Sequence, residues 1–407
     1  MPSLIGNKPN QVPSNGDLGT LAFQDGVVPA GDLVGTTSTQ TLTNKTIDAS
    51  QLVNGSVTPE KLSTQSQYTG FKNRIINGAM MIDQRNAGAS VTATGSNYAL
   101  DRWQMLASVS SKFTVQQNAG AVTPPAGFKN YLGVTSSAAT SLGATDYYLI
   151  TQKLEGFNTS DLSWGSASAR AVTVSFWVRS SLTGTFGFVL RNSAGNRLYP
   201  ASYTISSANT WEQKFVTIAG DTTGTWATDN SIGIELDFGL GVGSTYSNTA
   251  GTWTTGGLGV TGATSVVGTS GATFYLTGVQ LEVGSTATSF DYRPYGTELA
   301  LCQRYYYKDA RDAFSIWASG VFYTTTSALV SYSLPVQMRA TPTLSSSTIS
   351  NFRVQGGGYV LNASALSSSL SSNGGRIGFT VSGATQGQGA VVDTASSGQF
   401  LEFSAEL

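Results

Sequence analysis

Val172, Val174, Phe176 and Val178 alternate with Thr173, Ser175 and Trp177. Successive side chains of a strand point to opposite faces, so this run has one apolar face and one mixed face, a pattern no helix stripe produces. Similar short runs recur between Ser111 and Gly284: Lys112–Gln117, Tyr131–Val134, Tyr147–Leu154, Thr185–Arg191, Ser202–Ile205, Trp211–Ile218, Ile232–Phe238 and Phe274–Val283. Gly, Asn and Ser separate them, and no helical period is sustained. Many short strands divided by such turns predict an all-β chain built around a β-sandwich.

Composition narrows what such a sandwich can do. Charged residues make up 11 % of the 407 positions and the net charge is −1, so the basic footprint of a nucleic-acid partner is absent. The chain has no histidine, which excludes a Ser-His-Asp machine and a His-ligated metal. Cys302 is the only cysteine, so no intrachain disulfide forms. The start, MPSLIGNKPNQVPS, lacks a charged end followed by an apolar run, and no stretch reaches ~18 consecutive apolar residues; neither a signal peptide nor membrane insertion is expected. No cofactor is expected.

The pattern divides the chain into residues 1–70, 71–296, 297–308 and 309–407. Residues 1–70 hold scattered Leu, Ile and Val among polar stretches and read as a flexible tail or as an extended segment ordered by winding on its own copies or on a partner. Residues 71–296 form the sandwich. Its last strand, Ala272–Val283, is expected to place Phe274 and Leu276 on one face and Tyr275, Val279, Leu281 and Val283 on the other. Thr297–Lys308 reads as a connector helix with Thr297 as its cap and Glu298 in its first turn. Its Leu299, Cys302 and Tyr306 share a face. Residues 309–407 read as a small β-domain, with strands at Phe314–Ala318, Leu329–Leu334, Phe352–Leu361, Ile377–Val381 and Phe400–Ala405. From Ala313 onward the only charges are Arg339, Arg353, Arg376, Asp393, Glu402 and Glu406. Sheets with so few charges pair readily at their edges, and burying edges and flat faces between copies relieves this.

TLTNKTIDASQLVNGSVTPEKLS (Thr41–Ser63) resembles the N-terminal shaft of tailed-bacteriophage tail fibres. FKNRIINGAMMIDQRN…LDRW, from Phe71 to Trp103, resembles the start of a carbohydrate-binding-module-like jelly-roll in the same proteins. ITQKLEGF, VTVSFWVRSS, TWEQKFVTI and FYLTGVQLEVG continue that resemblance, and RPYGTELALCQRYYYK with SYSLPVQMRATPTL resembles their connector and C-terminal domain. The resemblance implies a homotrimeric virion fibre, made in a host cytoplasm. Residues 1–70 would attach it to a baseplate, tail or other virion protein, and the rest would meet host cell-surface polysaccharide. Jelly-rolls of this type often hold a structural calcium beside the last strand. Thr277-Gly278 supplies no carboxylate there, which leaves only Asp101 or Asp291 and no expected metal.

Two Gly-Thr-Trp-x-Thr loops carry the candidate chemistry, around Trp226 and Trp253, with Tyr246 between them. An aromatic ring offers a flat apolar face to the C–H face of a sugar. Asp229 and Asn230 follow the first loop and can bond sugar hydroxyls. The same tryptophans can instead anchor loops or touch a neighbouring subunit. Glu235 and Asp237 lie two apart on one strand and share a face; they, or another carboxylate pair, could do acid–base work on a glycoside, although a solvated sheet face often carries Glu-x-Asp. A binding protein rather than an enzyme is expected. A glycan-degrading fibre and an exported carbohydrate-binding module stand as alternatives.

Overall fold

A computed structural model describes residues 71–407, which belong to one compact unit. The shaft and attachment readings for residues 1–70 lie outside the described residues. Two six-stranded sheets face each other. The front sheet runs Val91–Thr92, Phe113–Gln117, Leu132–Ser136, Thr273–Val283, Val172–Ser180, Glu212–Ile218. The back sheet runs Ser96–Leu100, Trp103–Ala107, Tyr147–Glu155, Ile232–Val242, Gly184–Arg191, Leu198–Ile205. Every strand expected between Ser111 and Gly284 is present. Val172, Val174, Phe176 and Val178 all point into the core between the sheets. There Phe176 meets Phe188, Tyr203 and Phe238 edge-to-face, an arrangement that suits the ring quadrupoles.

The strand Thr273–Val283 departs from simple alternation. Its pairing with Val172–Ser180 slips between Thr277 and Gln280, at Gly278, which has φ +60. This bulge restarts the alternation one residue late. Phe274, Leu276, Val279 and Leu281 therefore all enter the core, while Tyr275 joins Ala119 and Tyr131 in a separate cluster. The expected placement of Tyr275 with Val279 and Leu281 is corrected accordingly.

The connector differs too. The helix covers Tyr295–Gln303, with Pro294 rather than Thr297 at its N-cap position. Proline's fixed φ suits a helix start, and Glu298 in the first turn takes hydrogen bonds from Arg293 and the Asn77 backbone. Cys302 and Tyr305 are buried with Ile76 and Ile82. Tyr306–Lys308 are not helical: Tyr306–Arg311 is a strand that pairs with Gln399–Ser404. The ladder outcompetes helix continuation in a Tyr-rich run with high β-propensity.

The C-terminal region holds this three-stranded sheet, with Thr343–Ser346 as its third member, and a seven-stranded sheet. The latter runs Tyr359–Asn362, Phe352–Gly356, Gly389–Thr394, Ala318–Thr324, Ser327–Ser333, Gly374–Thr380, Ala365–Ser371. Trp317, Phe322, Phe352, Phe379 and Phe403 fill the core beneath them. The expected strand Phe314–Ala318 is a loop, with Phe314 exposed at φ +64. The expected strand Phe352–Leu361 is a hairpin turned by Gly357 and Gly358. Among the described residues no helix is long and apolar enough to cross a membrane.

Candidate functional site

The loop after the edge strand Glu212–Ile218 is organised by Asp221. Its buried carboxylate accepts from Arg197 Nη2 at 2.5 Å and Nε at 2.9 Å, from the Thr223 backbone at 3.2 Å and from Trp226 Nε1 at 3.2 Å. Burial pushes this carboxyl up, but the bonds from Arg197 and Thr223 prevail and hold it below the usual carboxylate range. Trp253 Nε1 donates to Ala219 O at 2.9 Å, and Trp164 Nε1 to Arg170 O at 2.8 Å. The three indoles meet edge-to-face at centroid distances of 4.7, 5.3 and 5.6 Å. Trp226 and Trp253 are thus brought together, with Trp164 as a third member that no sequence motif marked. Each N–H is occupied within the protein, and each ring packs against the other two.

Tyr246 lies elsewhere. It follows Ile232–Val242 and packs 6.0 Å from Tyr147, whereas the Trp226 loop precedes that strand. The eleven-residue strand lies between them in the chain. Asp229 and Asn230 sit at the strand's start, facing the C-terminal region. Asp229 is exposed and caps the Ser231 backbone at 2.9 Å; the Ser231 hydroxyl and backbone bonds hold its carboxyl below the ordinary value. Asn230 O accepts from Arg339 Nη1 at 2.9 Å, and Asn230 Nδ2 donates to Arg339 O at 3.4 Å.

Glu235 and Asp237 share the outer face of the back sheet, as their spacing predicts. Arg191 bridges them, with Nε 2.6 Å from Asp237 Oδ2 and Nη2 on Glu235. Thr151 donates to Asp237 at 2.7 Å. Burial, and then the Asp237 charge, push the Glu235 carboxyl up to about 7. Asp291 caps the Lys72 and Asn73 backbone at 2.9 and 3.1 Å, and Asp101 accepts from Gln84. Among the described residues no three His, Cys, Asp or Glu side chains gather where they could hold a metal.

A second aromatic array lies on the outer face of the front sheet. Trp177, on the mixed face of its strand, is half-buried beside Gly278. A Cβ on Gly278 would lie 2.6 Å from Phe128 Cζ and 3.2 Å from Trp177 Cδ1, so the missing side chain lets the two rings flank one backbone position. Phe128 meets Phe290 at 5.1 Å and Tyr292 at 5.6 Å. On the other side, Gln213 pairs with Trp177 and Phe215 with Ser175, which sets Phe215 diagonal to Trp177 on the same face. Phe215 is 67 % and Tyr292 55 % exposed. Unlike the indole triad, this band leaves ring surface open to solvent, with Trp177 and Phe215 on strands and Phe128, Phe290 and Tyr292 on the loops beside them. Its members are far apart in the chain; Trp177 was the one sequence signal for it.

The chain matches no family model and no curated protein. Among solved structures it is similar to TmCBM61 in complex with β-1,4-galactotriose, at 9 % identity and TM-score 0.27, over 52 % of this chain and 99 % of that one. The family 11 carbohydrate-binding module from Clostridium thermocellum, in complex with a β-1,3-1,4-mixed-linked tetrasaccharide, is similar at 14 % identity and TM-score 0.25, over 49 % of this chain and 98 % of that one. The enzymatically active domain of bacteriophage CBA120 tailspike protein 4 is similar at 13 % identity and TM-score 0.29, over 52 % of this chain. The matched part spans only 21 % of the tailspike chain. Likenesses of this degree decide nothing about ligand, activity or assembly.

Proposed function

We propose that the chain is a non-enzymatic attachment protein that binds cell-surface glycan side-on across the Trp177 band. The observation that carries this reading is the open ring surface of Trp177 and Phe215 on the sheet and of Tyr292 on the adjoining loop, with the Gln213 amide beside it. Flat rings suit the apolar faces of consecutive sugars, and neighbouring amides suit their hydroxyls. A neutral protein meeting a neutral or weakly charged polymer gains little from long-range charge, so affinity comes from contact area and from multiplicity. That fits a homotrimeric fibre fixed to a virion through residues 1–70, the arrangement implied by the shaft and connector motifs. In favour of binding over turnover, Arg191 occupies both Glu235 and Asp237.

The test is co-sedimentation with host envelope polysaccharide and light scattering of the full chain. Trp177→Ala and Phe215→Ala are expected to weaken binding at least tenfold. Wild-type affinity in both variants sinks the site, and a monomeric mass sinks the fibre. Release of reducing ends from the polysaccharide, lost on Glu235→Gln, would instead establish the enzyme alternative.

A further inference from the structure

A cavity of about 260 Å³, counting its open mouth, lies between the Trp164–Trp226 pair and the turns Gly156–Asn158 and Ser160–Leu162. Its walls are of two kinds. Trp164, Trp226 and Ile234 are apolar; Ser163 and Thr228 bring hydroxyls. The Thr159 hydroxyl turns back to Gly156 O at 3.3 Å. Those of Ser163 and Thr228 are exposed at its mouth and bond no other described residue, so each can both donate and accept.

Two features show that the cavity is built into the loops. Ser163 holds φ +53 as the left-handed cap that ends the turn Ser160–Leu162, which fixes its position at the cavity. Gly165, at φ +86, lets the Trp226 loop close on it: a Cβ there would lie 2.7 Å from Gly224 O and 3.4 Å from Trp226 Cδ1. The indole N–H bonds to Asp221 and Arg170 O then fix both walls.

The enclosed part is too small for a sugar ring and suits a group of a few heavy atoms. Its lining needs a ligand with a methyl for the indoles and an adjoining donor and acceptor for the hydroxyls. We propose that this cavity receives the acetamido group of an N-acetylated sugar. The methyl packs against the apolar wall formed by Trp164, Trp226 and Ile234, and the amide N–H and C=O pair with the Ser163 and Thr228 hydroxyls. The inference rests on the glycan-binding reading and adds a selection within it. A site built to pair polar groups discriminates strongly against an analogue that lacks them.

Chitotetraose and cellotetraose share a β-1,4 backbone and differ at C2, acetamido against hydroxyl. Calorimetric titration of the full chain should show at least tenfold tighter binding of chitotetraose. Saturation-transfer NMR should place the acetyl methyl closest to the protein. Thr228→Ile changes an exposed position and fills the cavity; it should abolish the preference. Ser163→Gly suits the positive φ and removes one hydroxyl, so it should reduce the preference without loss of stability. Equal affinities, binding of neither probe, or a preference unchanged in both variants overturns the assignment. If the preference is absent while Trp177-dependent binding to envelope polysaccharide persists, the cavity reading alone fails. If that binding is absent too, the glycan reading fails with it.

Discussion

Arg304 donates to both oxygens of the Glu155 carboxylate, at 2.6 and 2.9 Å, across the boundary between the sandwich and the C-terminal region. Tyr305 Oη adds a third bond at 2.6 Å. The Glu155 side chain is almost fully buried, whereas that of Arg304 is 31 % exposed. Removing the arginine therefore leaves a buried charge with one partner. Arg304→Ala should cost about 3 kcal/mol in urea unfolding at pH 7. Burial pushes Glu155 up, yet the Arg304 and Tyr305 bonds hold its carboxyl below the ordinary value. That contribution is present above the unfolded value and is lost as pH falls through the folded one. The acid limb of the stability profile should flatten in Arg304→Ala; an unchanged limb and a loss below ~0.5 kcal/mol would show that the joint is held elsewhere.

Asp101 predicts a slope of the opposite sign. Burial pushes its carboxyl up to about 6, against the Gln84 hydrogen bond and Arg85 at 3.8 Å, and its Oδ1 has no hydrogen-bond partner. The folded chain therefore holds this proton more tightly than the unfolded one between about pH 4 and 6. Stability falls as pH rises through that window, by about 2–3 kcal/mol for this group alone. Asp101→Asn should remove the slope. Urea midpoints at pH 4.5 and 7 for both proteins measure it, and parallel profiles refute it.

Gly278 links the bulge to the open band. Gly278→Ala places a Cβ at φ +60, 2.6 Å from the Phe128 ring. The backbone penalty is about 1 kcal/mol before any clash. The variant should unfold earlier and bind polysaccharide more weakly, because Phe128 must move away from Trp177. Retained stability with retained binding would mean that the band tolerates a side chain there.

Trp226→Ala and Phe215→Ala should separate stability from binding. Trp226 contacts both other indoles of the triad, so its loss should cost about 3 kcal/mol or more. Phe215 is two-thirds exposed, so its loss should leave the thermal midpoint within about 1 °C, for a change under ~0.5 kcal/mol, while weakening polysaccharide binding. Reversed effects in calorimetry and co-sedimentation would exchange the roles of the two clusters.

The sandwich was legible because its strands are rich in β-branched and aromatic residues that alternate, as at Val172–Val178. The parity of Thr273–Val283 was not, because a Thr-Gly pair inside a strand does not reveal which way a bulge shifts the next residue. Ala365–Ser371 is mostly Ser and carries too little contrast to show a period of two, and the adjacent Val391 and Val392 break the alternation in Gly389–Thr394. The Gly-Thr-Trp repeats correctly marked two rings that meet, but Tyr246 shares only their local composition and lies beyond the far end of Ile232–Val242. Trp164 sits among Ser and Gly, and Phe128, Phe215 and Tyr292 belong to three separate segments. Only the folded sheet makes neighbours of them.

The pairing of Tyr306–Arg311 with Gln399–Ser404 also sets an order in time. On a ribosome the sandwich strands all emerge before the C-terminal region. Arg85 and Arg102 on that sandwich are paired with Glu406, which follows the last strand of the C-terminal region. The first strand of that region waits for the same late segment to complete its ladder. A nascent chain stalled before residue 399 thus carries two arginines lacking their carboxylate and a strand without its neighbour, exposed features of the kind that chaperones and proteases act on.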